Sequence, residues 1–232
     1  MHPENHEQKS SLIREIWLCT KAVLLSTATI LLEYIGALLF GSIALFADML
    51  HIFSDCSTYL MRGIVAFVTI YHPEKEEILN KYFVWLSWVL LLIADIIIFK
   101  EAIERIYFPQ EVIGDWTLYT AILGFVLNAI LVWMMHKTPE SERGIRHHAM
   151  DAHALSDMMV SVGVILSAII IMTTGFQAAD WIVALAIAIY LFVGPFFSLT
   201  RQIAKGEWTL KHDHDHHEHE DHDECEHDHH HH

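Results

Sequence analysis

His51-Ile52-Phe53-Ser54-Asp55 and His153-Ala154-Leu155-Ser156-Asp157 share one pattern, H-x-x-S-D, and both lie inside long apolar runs. On an α-helix, residues four apart stand about 40° apart around the axis and about 6 Å apart along it. Each stretch therefore sets an imidazole and a carboxylate on one helix face. Two such faces turned together supply two His and two carboxylates, the ligand number of a tetrahedral zinc site. An aspartate at the middle of a spanning helix costs about 2.5–3.5 kcal/mol on insertion scales, so ionisable groups there mark function by default. A structural His–Asp pair that merely ties helices together accounts for one such motif as well as a metal site does. It accounts poorly for two matching ones.

The apolar runs around these motifs decide the fold class. The chain of 232 residues is 53% hydrophobic, and several runs exceed the roughly 18 residues that mark a membrane helix. Six spans are expected, at about 16–40, 43–70, 82–106, 116–136, 147–173 and 180–199. They are joined by a tight turn at Gly41-Ser42, a polar loop broken at Pro73, a link holding Pro109 and Gly114, the polar loop KTPESERGIR, and Gly175. The expected protein is thus an all-α integral membrane protein. It has a polar segment over 1–15, six transmembrane helices over 16–200 and a polar tail over 201–232. With the N-terminus inside, twelve Lys and Arg fall on one side and only Lys100 and Arg105 on the other. Positive flanks stay in the cytosol, so both termini are expected there.

Composition excludes several classes. The formal net charge is −15, but residues 212–232 hold nine of the acids and no Lys or Arg. No basic patch interleaves with aromatics, so a nucleic-acid partner has no support. Cys19, Cys56 and Cys225 form neither a disulfide framework nor a C-x-x-C pair. The start, MHPENHEQKSSLIREIW, is not a secretory signal. No H-E-x-x-H is present, which argues against a membrane metalloenzyme. A passive channel is disfavoured, because four protein ligands hold an ion too well to conduct it.

The second span runs inward and the fifth outward, so side by side they are antiparallel. His51 then lies level with Asp157, and Asp55 with His153. Asp48, one turn outward of His51, is either an exit-path acid or a hydrogen-bonding neighbour. Ser161 extends the polar stripe of the fifth span. His147, His148 and Asp151 either hand metal inward to the site or are interfacial polar residues at a helix start. Asp95 faces a partner helix or a water path. Asn128 and Glu33 read as helix–helix hydrogen-bonding groups, and Cys56 as a small packing residue. The tail, HDHDHHEHEDHDECEHDHHHH, has no apolar residue and is expected to be disordered without metal. His212, His214, His216, His217, His219, His222 and Cys225 are its candidate metal groups. Its last four His are either native or an expression tag.

The run FGSIALFADMLHIFSD resembles the second-helix signature of the cation diffusion facilitators, a small-residue turn followed by A-D-x-x-H-x-x-S-D. RHHAMDAHALSDMMVSVGVILSAIII resembles their fifth helix, AADWIVALAIAIYLFVG the start of their sixth, and KEAIERIYFPQEV their third-helix exit. The resemblance covers about residues 15–200. It implies that His51, Asp55, His153 and Asp157 form the transport site. It also implies export of divalent cations, usually Zn2+, in exchange for protons, by a homodimer, here expected in a bacterial inner membrane. Two departures stand out. About thirty residues follow the sixth span, so the chain is expected to be a variant lacking the family's C-terminal cytosolic domain. The loop after the second span lacks the family's P-A-D-x-x-H-P-x-G, which leaves His72, Glu74, Glu76 and Glu77 as poor candidates for a loop site.

Imidazole with carboxylate in a four-ligand cage suits Zn2+, the expected transported substrate, and admits Cd2+ and Co2+. No resident cofactor and no enzyme activity are expected. Metal requires neutral imidazoles and ionised carboxylates, so metal and protons compete for the same groups. The rival reading is a membrane-anchored zinc buffer or sensor that works through its His-rich tail. Vectorial metal movement in sealed vesicles separates the two.

Overall fold

The computed structural model describes the backbone of residues 3–137 and 145–205, and the side chains of residues 9–135, 137 and 157–193. The described residues form six long helices: α1 (Pro3–Phe40), α2 (Ile43–Tyr71), α3 (Glu76–Tyr107), α4 (Gly114–His136), α5 (Ile145–Thr174) and α6 (Ala178–Lys205). A 3₁₀ turn, Pro73–Lys75, precedes α3, and there is no strand among them. Each helix encloses one of the apolar runs. α1 starts well before its run, because Glu, Gln, Lys and Arg in the polar segment also favour helix and Pro3 suits a first helical position. The chain separates into two compact units, Met1–Pro195 and Phe196–His232; the described part of the second is the end of α6.

Turn chemistry explains where α1 stops. Gly41 has φ +73°, and a Cβ there would lie 2.9 Å from the Glu111 carbonyl oxygen. Only glycine meets both conditions. Ser42 then caps α2, its hydroxyl accepting from the Leu45 N–H at 3.1 Å.

Within the first unit, α1, α2, α5 and α4 close a four-helix ring, each packed on the next, and α3 lies outside it against α2. The ring turns an unusual face inward. α1 buries Cys19, Ala22, Ser26, Thr29, Glu33 and Ala37, spaced three and four apart, so its inner stripe is small or polar. Its outer face shows Trp17, Leu24, Leu31 and Leu38. α3 buries only Ala94, Asp95, Ile98 and Ala102 and leaves the rest of its apolar surface exposed. Lipid makes this distribution stable: apolar side chains need no burial there, and helices associate through small residues and polar contacts. At Gly36 a Cβ would come within 2.7 Å of Thr120 and 2.9 Å of Leu45, so α1 approaches α2 and α4 through its own missing side chain. On α6, Ala184, Ile187, Ala188 and Leu191 pack with Ala44 of α2, Ile98 of α3 and Val160 and Val164 of α5.

Four helical stretches are long and apolar enough to cross a bilayer: Lys9–Phe40, Pro73–Tyr107, Gly114–Met135 and Asp157–Thr174. The expectation of six is met only in the number of long helices. α2 falls short because Asp48, His51, Asp55 and Arg62 dilute it, and the described apolar part of α6, Ala178–Val193, is short.

Candidate metal centre

α2 begins at a fixed point and so carries its polar residues to a fixed depth. Besides the Ser42 cap, an acid from α6 holds its first turn. Asp180 Oδ1 accepts from the Ser42 hydroxyl at 2.6 Å and from the Ala44 N–H at 3.3 Å, and Oδ2 accepts from the Ile43 N–H at 2.6 Å. A carboxylate at a helix N-terminus also meets the positive end of the helix dipole. Nearby, the Ile113 N–H donates to the Phe40 carbonyl at 3.0 Å and the Val112 N–H to Gln177 Oε1 at 2.9 Å. The three connections at this end of the molecule are thereby tied together.

Three turns along α2, His51 and Asp55 face α5, where Asp157 meets them. His51 Nε2 lies 3.1 Å from Asp157 Oδ1. Ligand atoms of His51, Asp55 and Asp157 all fall within 4.8 Å of one another. All three residues are buried, with exposures of 3%, 4% and 0%. The His51–Asp157 contact is short but off the line of a hydrogen bond, and neither Asp157 oxygen accepts one among the described residues. Asp55 and Asp48 both repel a charge on Asp157. One nitrogen and two carboxylates, crowded, buried and mutually repulsive, are a donor set that a divalent cation relieves.

His153 stands four residues before Asp157 on α5, which is the same helix face. Its side chain lies outside the described residues, as do those of His147, His148 and Asp151. His212, His214, His216, His217, His219, His222 and Cys225 lie outside them altogether.

A second polar layer sits beside the cluster. Asp48 is fully buried, and its Oδ2 accepts from the Ser161 hydroxyl at 2.8 Å. The Asn128 amide donates to the Ser161 oxygen at 3.2 Å. Asn128 is thus the helix–helix bonding group expected of it. Glu33 is not: it is fully buried, yet neither oxygen has a hydrogen-bond partner among the described residues. Asp95, 6% exposed, lines a cavity of about 580 Å³ between α3 and α6, walled by Leu92, Phe99, Ile189 and Phe192. Cys56 is half-buried beside Thr27, and His72 pairs with Glu74 at 3.2 Å.

Asp180 escaped the sequence reading. An acid at a helix start is ordinary, and its partner Ser42 is 138 residues away, so no local pattern announces the bond. Tyr59 escaped too. It lies one turn beyond Asp55 on the same face, 1% exposed, packed with Cys19, Ala22, Leu131 and Met135.

Residues 20–203 match the cation efflux transmembrane domain. The chain belongs to the cation efflux family. This is the family of the cation diffusion facilitators, whose helix signatures the motifs resemble, and it is one of transporters rather than enzymes. The cation efflux protein is 31% identical over 175 residues to the zinc transporter ZitB of Yersinia pseudotuberculosis, an alignment covering 73% of this chain and 56% of that one. It is 33% identical over 177 residues to the zinc transporter ZitB of Pectobacterium atrosepticum, covering 72% and 54%. To the cadmium, cobalt and zinc/H(+)-K(+) antiporter of Bacillus subtilis it is 32% identical over 172 residues, covering 70% and 54%. The chain spans about half the length of the curated relatives it matches. Apolar helices and family membership together make it an integral membrane protein.

Proposed function

We propose that this cation efflux protein exports divalent metal cations from the cytosol in exchange for protons, Zn2+ foremost and Cd2+ also. The observation that carries the reading is the convergence of His51, Asp55 and Asp157 in a buried space between α2 and α5. His153 adds the fourth ligand from the same face of α5, completing a tetrahedral set suited to Zn2+. The relatives' names support the cargo, since two are zinc transporters and the third moves cadmium, cobalt and zinc.

Proton exchange follows from the ligands. The site binds metal only with imidazoles neutral and carboxylates ionised, so protons arriving from outside displace the cation. Four ligands that bind well need such a release step. The helices α2 and α5 carry all four groups, and alternating exposure of this pair to the two sides moves the cation. All six helices span the bilayer, α2 and α6 included, with both termini cytosolic, a reading that the twelve-to-two division of Lys and Arg supports. The protein works as a homodimer in a bacterial inner membrane, and its His-rich tail raises metal concentration near the cytosolic mouth by tethering.

The test is zinc flux in proteoliposomes under an imposed proton gradient. The gradient drives zinc uphill in wild type, and Asp55→Ala and Asp157→Ala abolish it. Flux indifferent to the gradient sinks proton exchange; variants transporting at the wild-type rate sink the site.

A further inference from the structure

α1 carries a carboxyl that the four-ligand site does not use. Glu33 is 0% exposed, and among the described residues neither of its oxygens has a hydrogen-bond partner. Such a group adds no bond that holds the fold, and buried carboxyls ordinarily find donors or counter-ions. It is also tightly housed. A Cβ at Gly124 would overlap Glu33 Oε1, so α4 gives up a side chain to make room for it.

Its position relates it to the metal cluster. α1 and α2 leave the Gly41–Ser42 turn antiparallel. Counted from that turn at about 1.5 Å per residue, Glu33 lies at a depth between Asp48 and His51. Among the described residues, Asp48 of α2 and Asp157 of α5 both repel a charge on it, and α4 sets Gly124 directly against it. The sequence holds no Lys or Arg between Lys21 and Arg62, between Arg105 and Lys137, or between Arg146 and Arg201. The middle of the ring therefore has no fixed cation. A bound divalent cation balances two carboxylates, Asp55 and Asp157. Asp48 takes the Ser161 hydroxyl. Among the described residues Glu33 is left with neither donor nor counter-ion, and a buried carboxylate so placed is costly to keep ionised.

We propose that Glu33 is a proton-binding site separate from the metal ligands, one that holds a proton while the divalent cation is bound and yields it to the ligand cluster as the cation leaves. The O–H bond on Glu33 breaks as a bond to hydrogen forms in the cluster, and a proton from exterior water then refills Glu33. No electrons change hands. The proposal rests on the exchange reading above for its role in transport, though not for the proton itself.

Glu33→Gln keeps the size and removes the acid. In infrared spectra of the purified, zinc-loaded protein, this variant loses one protonated-carboxyl band. Its zinc stoichiometry and affinity stay at the wild-type values. Proton-driven zinc uptake in proteoliposomes falls about a hundredfold, the low end of what a positioned proton-transfer group contributes. Glu33→Asp, which restores an acid, shifts the infrared band and recovers part of the rate. An unchanged spectrum, wild-type uptake, or the loss of one zinc per protein, which would make Glu33 a metal ligand, each overturns the proposal. If Glu33→Gln does not fold, Glu33→Asp decides: an unshifted band overturns it. Wild-type flux that ignores the proton gradient defeats the exchange reading alone, because the infrared band still reports the proton on Glu33.

Discussion

Asp157 is held against two other buried acids, Asp55 and Asp48, with His51 at 3.1 Å. In the proposed metal site, that arrangement costs energy without a cation and is relieved when one binds. Asp157→Asn keeps the shape and removes a charge. It should therefore raise the unfolding temperature of metal-free protein and cancel the further rise that zinc produces in wild type, both read in one thermal melt. Zinc affinity, measured by competition with a chelating dye, should fall by more than about a hundredfold, beyond the 10–100-fold that losing an outer partner costs. His153→Asp tests the nitrogen share of the set. An all-oxygen tendency leans toward Mn2+, so the ratio of Mn2+ to Zn2+ uptake should rise. An unchanged ratio would place His153 outside the ligand set.

Between elements, Asp180 of α6 grips the first turn of the site helix α2. Hydrogen bonds to a charged group contribute about 1.5–3 kcal/mol each. Asp180→Ala breaks three at once and leaves the Ile43 N–H and the Ser42 hydroxyl without their acceptor. A loss of about 3 kcal/mol or more in unfolding free energy is expected from that cost of stranded donors. Ser42→Ala should lose about 1 kcal/mol, the usual worth of an N-cap. The double variant should lose less than the sum, because both residues share one bond. Strict additivity in unfolding measurements would show that the cap and the acid act independently. Gly36→Ala belongs to this scale as well, since its Cβ would press on both Thr120 and Leu45. Overpacking of that kind costs about 1–3 kcal/mol.

Within the first unit, α1, α2, α5 and α4 form a ring with small and polar residues inside and apolar residues outside. Trp17, Tyr82 and Trp85 stand toward one end of the helices, and Tyr107, Trp116 and Tyr119 toward the other. Aromatic side chains favour the two membrane interfaces, and Lys137 stacks its ammonium 3.8 Å from the Trp133 ring at a helix end. The α5–α6 connection lies at the end tied by Asp180 and Gln177, which the charge division assigns to the outside. Phe176 is exposed there. Phe176→Cys in a cysteine-free background should react with a membrane-impermeant maleimide added outside intact cells, and Ser141→Cys should not. Labelling at Ser141 from outside would reverse the assigned orientation.

Helix existence was legible in the chain because helical hydrogen bonds are local and lipid forbids leaving any unmade; every apolar run became a helix. The facing of His51 with Asp55 was legible for the same reason, as four residues make about one turn. Their meeting with Asp157 needed the antiparallel packing of α2 on α5, which the matched motifs implied and the ring supplies. Other features had no local sign. Asp180 reads as an ordinary helix-start acid until α6 lies against α2. Glu33 reads as a bonding group until the ring closes without giving it a donor among the described residues, and Gly124 as a neutral small residue until α1 fills its space. Asp95 acquires its cavity only from α6. Spacing along a helix determines which side chains share a face, and that much the sequence decided. Which group finds a partner, and which is left without one, depends on surfaces far apart in the chain and was settled by tertiary packing.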